Sequence, residues 1–211
     1  MILFRMRGGY MKIVEAYLTV NNFSRPGHTL RAVKGIVMHY LGVPGQSALE
    51  CRQYFESLKE QDSEDNVPDR SASAHFIIDH DGTILAVVPL TEKAYHCGST
   101  VYTEKAVEVF GDYARFPDKT SPNSCSIGIE MCHGKGGVFT DETIRAATEL
   151  VAALCFERRL SPQKQVLTHN EVVGWKACPE YWVKHPALFS AFKHDVLRLV
   201  EQKYRVPEGL V

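Results

Sequence analysis

Apolar and polar positions alternate along the chain in short runs bounded by turn residues, and only a few stretches carry a helical period. KIVEAYLTV (12–20) predicts a strand, followed by a polar loop through Pro26 and Gly27. GIVMHYL (35–41) is a short apolar run between glycines, the pattern of a strand buried on both faces. Ser47 then precedes a segment in which Leu49, Tyr54, Phe55 and Leu58 recur at roughly helical spacing, which predicts a capped helix over 48–59. QDSEDNVPDR (61–70) reads as a solvated loop, and the apolar runs 74–79 and 83–89 flank Asp81-Gly82 as a hairpin does. Residues 94–122 show little periodicity and read as a long loop, a length that is uncommon in a compact domain and often functional. SIGIEMC (126–132) is a further strand that ends in the turn HGKGG. Thr140 opens a helix with Ile144, Ala147, Leu150, Val151 and Leu154 on one face. QVLTH (165–169) is a short strand leading into a loop with Trp175 and Cys178, and Pro186 starts a last amphipathic helix to about Tyr204. Without internal repeats or a linker, the order predicts a single α/β domain: a central mixed β-sheet flanked by helices.

Composition narrows the classes. The 211 residues are 45% hydrophobic, enough for one well-buried core. Lys and Arg (24) nearly balance Asp and Glu (25), which leaves no electrostatic footprint for nucleic acid or an anionic membrane surface. No run approaches the roughly 18 apolar residues of a membrane span. The start, MILFRMRGGYMK, lacks the apolar region of a secretory signal, and Met11 reads as an alternative start. Synthesis in the cytoplasm without a signal peptide is the expectation. Six cysteines without paired spacing argue against a disulfide framework, so most are expected to be small buried hydrophobes.

Position, more than type, singles out a few of the nine histidines. His39 lies at or near the end of an apolar strand, where an imidazole needs a partner, and His169 ends another strand just before a loop. Sheet ends are where ligands bind in α/β folds. Cys178-Pro179 follows in that loop. Two imidazoles and one thiolate from separate strand ends form a three-ligand set that leaves zinc's fourth position open, the arrangement of a catalytic site. Other readings are weaker. His169-Asn170-Glu171 matches the H-x-E of zinc deaminases, but no PCxxC follows. HExxH, GxSxG and a P-loop are absent. A cysteine-nucleophile reading of Cys178 stands, but it leaves His39 without a role. In SIGIEM, alternation puts Ile127 and Ile129 on one face and Gly128 and Glu130 on the other.

GIVMHY (35–40), SAHFIIDHDGTI (73–84), AYHCG (94–98), NSCSIGIEM (123–131), LTHNEV (167–172) and KACP (176–179) together resemble, in order and approximate spacing, the type-2 N-acetylmuramoyl-L-alanine amidases. That family includes phage and prophage endolysins, bacterial wall and recycling amidases, and peptidoglycan recognition proteins. The resemblance implies a zinc ion (Zn2+) held by His39, His169 and Cys178. It implies Glu130 as acid–base group and Lys176 as the group facing the oxyanion. His96 and Tyr95 then match positions lining the substrate groove, whereas His75 is structural. His28, His80, His133, His185 and His194 sit in loop-like or helix-surface contexts and receive no role. A tyrosine that assists catalysis in the T7 lysozyme-like branch is replaced here by Ala74, which leaves Glu130 as the working base.

The resemblance further implies hydrolysis of the amide between N-acetylmuramic acid and L-alanine in peptidoglycan, as an endolysin or autolysin that reaches the wall after release. Its alternatives are a non-catalytic peptidoglycan-binding module and a cytoplasmic muropeptide-recycling amidase. Residues 35–205 are expected to form the catalytic unit, with 1–34 joined to the same domain and 206–211 a tail. The expected partner is peptidoglycan or muropeptide, with no nucleic acid and no membrane insertion, on a monomer.

Overall fold

The computed structural model describes residues 2–6, 9–61 and 68–204, with side chains from Ile13 to Lys203 within those bounds. The centre of the polar loop (62–67) and the expected tail (206–211) lie outside the described residues. Among the described residues seven strands form: β1 (Ile2–Met6), β2 (Gly9–Glu15), β3 (Gly35–Tyr40), β4 (Phe76–Ile78), β5 (Ile84–Ala86), β6 (Ser126–Met131) and β7 (Val166–Thr168). The helices are α1 (Ala48–Ser57), α2 (Glu104–Phe110), α3 (Asp112–Arg115), α4 (Asp141–Arg158), α5 (Pro162–Gln165), α6 (His169–Val173), α7 (Glu180–Lys184) and α8 (Pro186–Tyr204). The strands make one mixed sheet in the order β1-β2-β5-β4-β6-β3-β7. β4, β6, β3 and β7 run parallel to one another, and the β4–β5 and β1–β2 pairs are antiparallel. The α/β expectation holds.

Alternation along the inner strands sorts side chains to two layers. Ile36 and Met38 of β3, Ile127, Ile129 and Met131 of β6, and Phe76 and Ile78 of β4 pack against α4 and α8. Trp182 of α7 joins this layer between Phe139, Phe189 and Phe192, with ring centroids about 5 Å apart. The opposite face carries two separate clusters. Phe55 and Leu58 cover Ile77, Leu85 and Val87 on one side, and Phe110, Leu167 and Val172 gather around Val37 on the other. His39 and Glu130 emerge on this second face. Because β3 and β6 are parallel in register, His39 lies directly opposite Glu130.

Three segments differ from the sequence reading. The first predicted strand shifts toward the N-terminus: β2 ends at Glu15 and pairs with β1 and β5. Residues 16–20 follow irregularly, held by Ala16 N–H on Ala86 C=O and Leu18 N–H on Val87 C=O, because Val20 is exposed and no strand partner continues. The long loop 94–122 contains α2 and α3. Thr103 caps α2 by accepting from Ala106 N–H, and Gly111 at φ 62° separates the two helices. His133 is buried, not in an open loop context, because its ring bridges the carbonyls of Gly134 and Leu41. All six cysteines are free and buried.

Candidate functional site

Strand ends and one loop bring the site together. β3 delivers His39. β7 delivers His169 as the first residue of α6, whose start is fixed by a capping box between Thr168 and Glu171. Asn170 then folds the following loop back: its N–H donates to Cys178 C=O, and its side-chain amide donates to Gly174 C=O and Lys176 C=O. That clamp carries Cys178 to the two histidines. His39 Nδ1 stands 3.1 Å from His169 Nδ1 and 3.9 Å from Cys178 Sγ.

A cavity of about 310 Å³ opens over these three side chains, and all seven residues singled out from the sequence line it: His39, Tyr95, His96, Glu130, His169, Lys176 and Cys178. A second cavity of about 730 Å³ shares Tyr40, Phe55, Glu130 and Lys176 with it and extends past Arg70, Gln46 and Tyr54, so the two form one groove. Trp175 stands at the rim, 69% exposed, with its indole N–H donating to Ser99 Oγ.

Electrostatics follow from burial. Burial raises Glu130 to about 8, with the Lys176 ammonium pulling in the other direction. The His169 pKa falls to about 3 through burial and the nearby Lys176 charge. Burial and the neighbouring imidazoles hold His39 well below the usual histidine range. Burial and Glu130 push the Cys178 thiol up to about 12. Cys178 is also buried, at 2% exposure, whereas an activated cysteine nucleophile sits partly exposed in electropositive surroundings, which disfavours the cysteine-nucleophile reading.

Two nitrogens and a sulfur that meet within 4.8 Å, all buried, form a donor set of zinc-binding chemistry. Its surroundings fit as well. Glu130 and His169 both line the cavity, and among the described residues their Oε2 and Nε2 atoms are buried without a hydrogen-bond partner, so the site holds polar atoms that the protein alone does not satisfy. The residues present therefore fit a zinc ion.

Sequence reasoning missed the supports. Asn123 Oδ1 accepts from the backbone N–H groups of His96 and Cys97, and Ser126 Oγ lies 3.1 Å from His96 Nε2. Gly128 lies under the His96 ring, where a Cβ would come within 2.5 Å of Cγ. A glycine on the same strand face as Glu130 was the available signal, since a strand glycine often marks a close approach. His75, expected to be structural, is buried and bonded at both nitrogens, to Glu92 C=O and Gly128 N–H.

The sequence model described as N-acetylmuramoyl-L-alanine amidase matches residues 29–181. This chain belongs to that family. It is 38% identical over 92% of its length to a probable N-acetylmuramoyl-L-alanine amidase of Bacillus licheniformis, and 35% identical over 92% to the amidase CwlL of the same organism. The chain spans about half of these two relatives, 49% of each. Among solved structures, a mutant endolysin from Bacillus subtilis superposes with a TM-score of 0.63 at 25% identity, covering 88% of this chain and 99% of that one. Among the described residues of this amidase-family chain, no helix is long and apolar enough to cross a membrane.

Proposed function

We propose that this chain hydrolyses the amide joining N-acetylmuramic acid to L-alanine in peptidoglycan, as the catalytic unit of an endolysin-like wall amidase. The observation that carries the reading is the convergence of His39, His169 and Cys178 in the cavity that Glu130 and Lys176 also line. His39, His169 and Cys178 would hold zinc, which supplies Lewis-acid polarisation of the carbonyl and acidification of water. Glu130, one β-rung from His39, takes a proton from the attacking water and delivers it to the departing alanine nitrogen. The products are the lactyl carboxylate and the free amine. The Lys176 ammonium faces the oxygen on which negative charge develops, a contribution typically worth several kcal/mol in a water-poor site. Tyr95 and His96 wall the cavity beside the scissile bond.

Zinc content and amine release from purified peptidoglycan test this. Wild type is expected to retain about one zinc per chain and to release free alanine amines. Cys178→Ala is expected to lose both, because two imidazoles alone bind zinc much more weakly. Equal amine release by the two proteins would overturn the zinc-amidase reading. Wall binding by wild type without turnover would favour a binding module, and turnover of soluble muropeptide but not intact wall would favour a recycling amidase.

A further inference from the structure

His96 touches the proposed metal ligands, and both its nitrogens are already committed to protein groups. Their direction is fixed from one end. The Pro122 carbonyl can only accept, so the Ser126 hydroxyl donates to it across 2.7 Å. Ser126 Oγ therefore accepts from His96 Nε2–H at 3.1 Å. A neutral His96 with its proton on Nε2 presents a lone pair at Nδ1, and this accepts from His39 Nε2–H at 3.0 Å. The His39 proton is thereby placed on Nε2, and its Nδ1 lone pair is turned toward His169 and Cys178.

The ring that transmits this order is held from three sides. Asn123 Oδ1 takes the backbone N–H groups of His96 and Cys97 at 3.1 and 2.8 Å. Gly128 lets the ring lie against β6, and the His39 and His96 rings meet edge to face at 5.2 Å. We infer that Ser126 and His96 form a positioning relay that fixes the tautomer and orientation of His39, so that Nδ1 faces the metal position. His96 thus acts through His39 and not through a hydrogen bond to substrate. The metal part of this inference rests on the proposed zinc site; the tautomer part does not.

The test reads both. Long-range 1H–15N spectra of histidine-labelled, metal-free protein, with His39 assigned from its loss in His39→Gln, should show the Nε2–H tautomer in wild type. His96→Leu keeps the bulk but removes the acceptor. It is expected to shift His39 toward the Nδ1–H form and to weaken zinc binding about 10- to 100-fold in chelator competition. His96→Asn places an amide oxygen near the former Nδ1 and should restore both readouts, a rescue that mere packing would not produce. Gly128→Ala, with His96 still present, should displace the ring and weaken zinc binding as His96→Leu does. A folded His96→Leu with wild-type His39 tautomer and wild-type zinc affinity would overturn the relay, as would His96→Asn behaving like His96→Leu. Should His96→Leu not fold, Ser126→Ala decides, because an unchanged His39 tautomer in that protein overturns the relay too. Wild type that shows the Nε2–H tautomer but binds no zinc would overturn the metal site while supporting the relay.

Discussion

Glu130 is a carboxyl group that folding pushes toward its neutral form, and the stability of the metal-free protein should show it. Its raised value of about 8, against an ordinary 4.5, means that the folded state binds the extra proton between those limits. Stability therefore falls as pH rises through that window. The buried histidines work in the opposite sense. His75 at about 4 and His169 at about 3, both lowered mainly by burial, cost stability as pH falls below about 6.5, where the unfolded chain takes up protons first. Unfolded histidines are still half protonated at about pH 6.5 and offset the carboxyl there, so the carboxyl sets the slope from about pH 7.5 to 8. Thermal melts of metal-free protein should thus lose stability over that interval. Glu130→Gln should abolish the decline and gain about 2 kcal/mol at pH 7, after allowance for water admitted by the cavity. The same substitution should lower amide hydrolysis by about 10²- to 10⁴-fold with zinc still bound. A melt with the wild-type slope would show that Glu130 does not carry it.

Among the elements, α1 shows how local chemistry supports the groove. Ser47 Oγ accepts from Glu50 N–H while the Glu50 carboxylate accepts from Ser47 N–H, and the helix so started carries Phe55 to the cavity wall. Ser47→Ala should cost about 1 kcal/mol and lower the melting midpoint by about 2–4 °C, with hydrolysis at 25 °C unchanged. This cap, the Asp81-Gly82 hairpin and the inner strands were legible in the sequence, because each is written in contiguous residues. α2 was not: seven residues hold too few turns for a helical period, and its cap, Thr103, sits in a stretch of mixed polarity. The site divided along the same line. Strand ends exposed His39 and His169 to sequence reasoning, but Cys178 gained its weight from the ordered motifs around it. Ser126 and Asn123 act through His96 from about 30 residues away, a relation without a local spacing to detect.

For the molecule as a whole, the sheet is a partition. The helical layer of α4 and α8 fills one face, while the other is left open between two smaller clusters, and the reactive groups line that opening. The chain's two tryptophans fall on opposite sides of this partition. Trp182 is 3% exposed within its aromatic cluster, and Trp175 stands in water at the groove rim. Their light should therefore report different events. Trp175 should emit at longer wavelength, be quenched by iodide and respond when muropeptide fills the groove. Trp182 should emit at shorter wavelength, resist iodide and change when the helical layer unpacks. In Trp175→Phe the iodide-sensitive component should vanish while the unfolding signal remains, leaving a protein whose substrate binding and folding can be watched at separate colours.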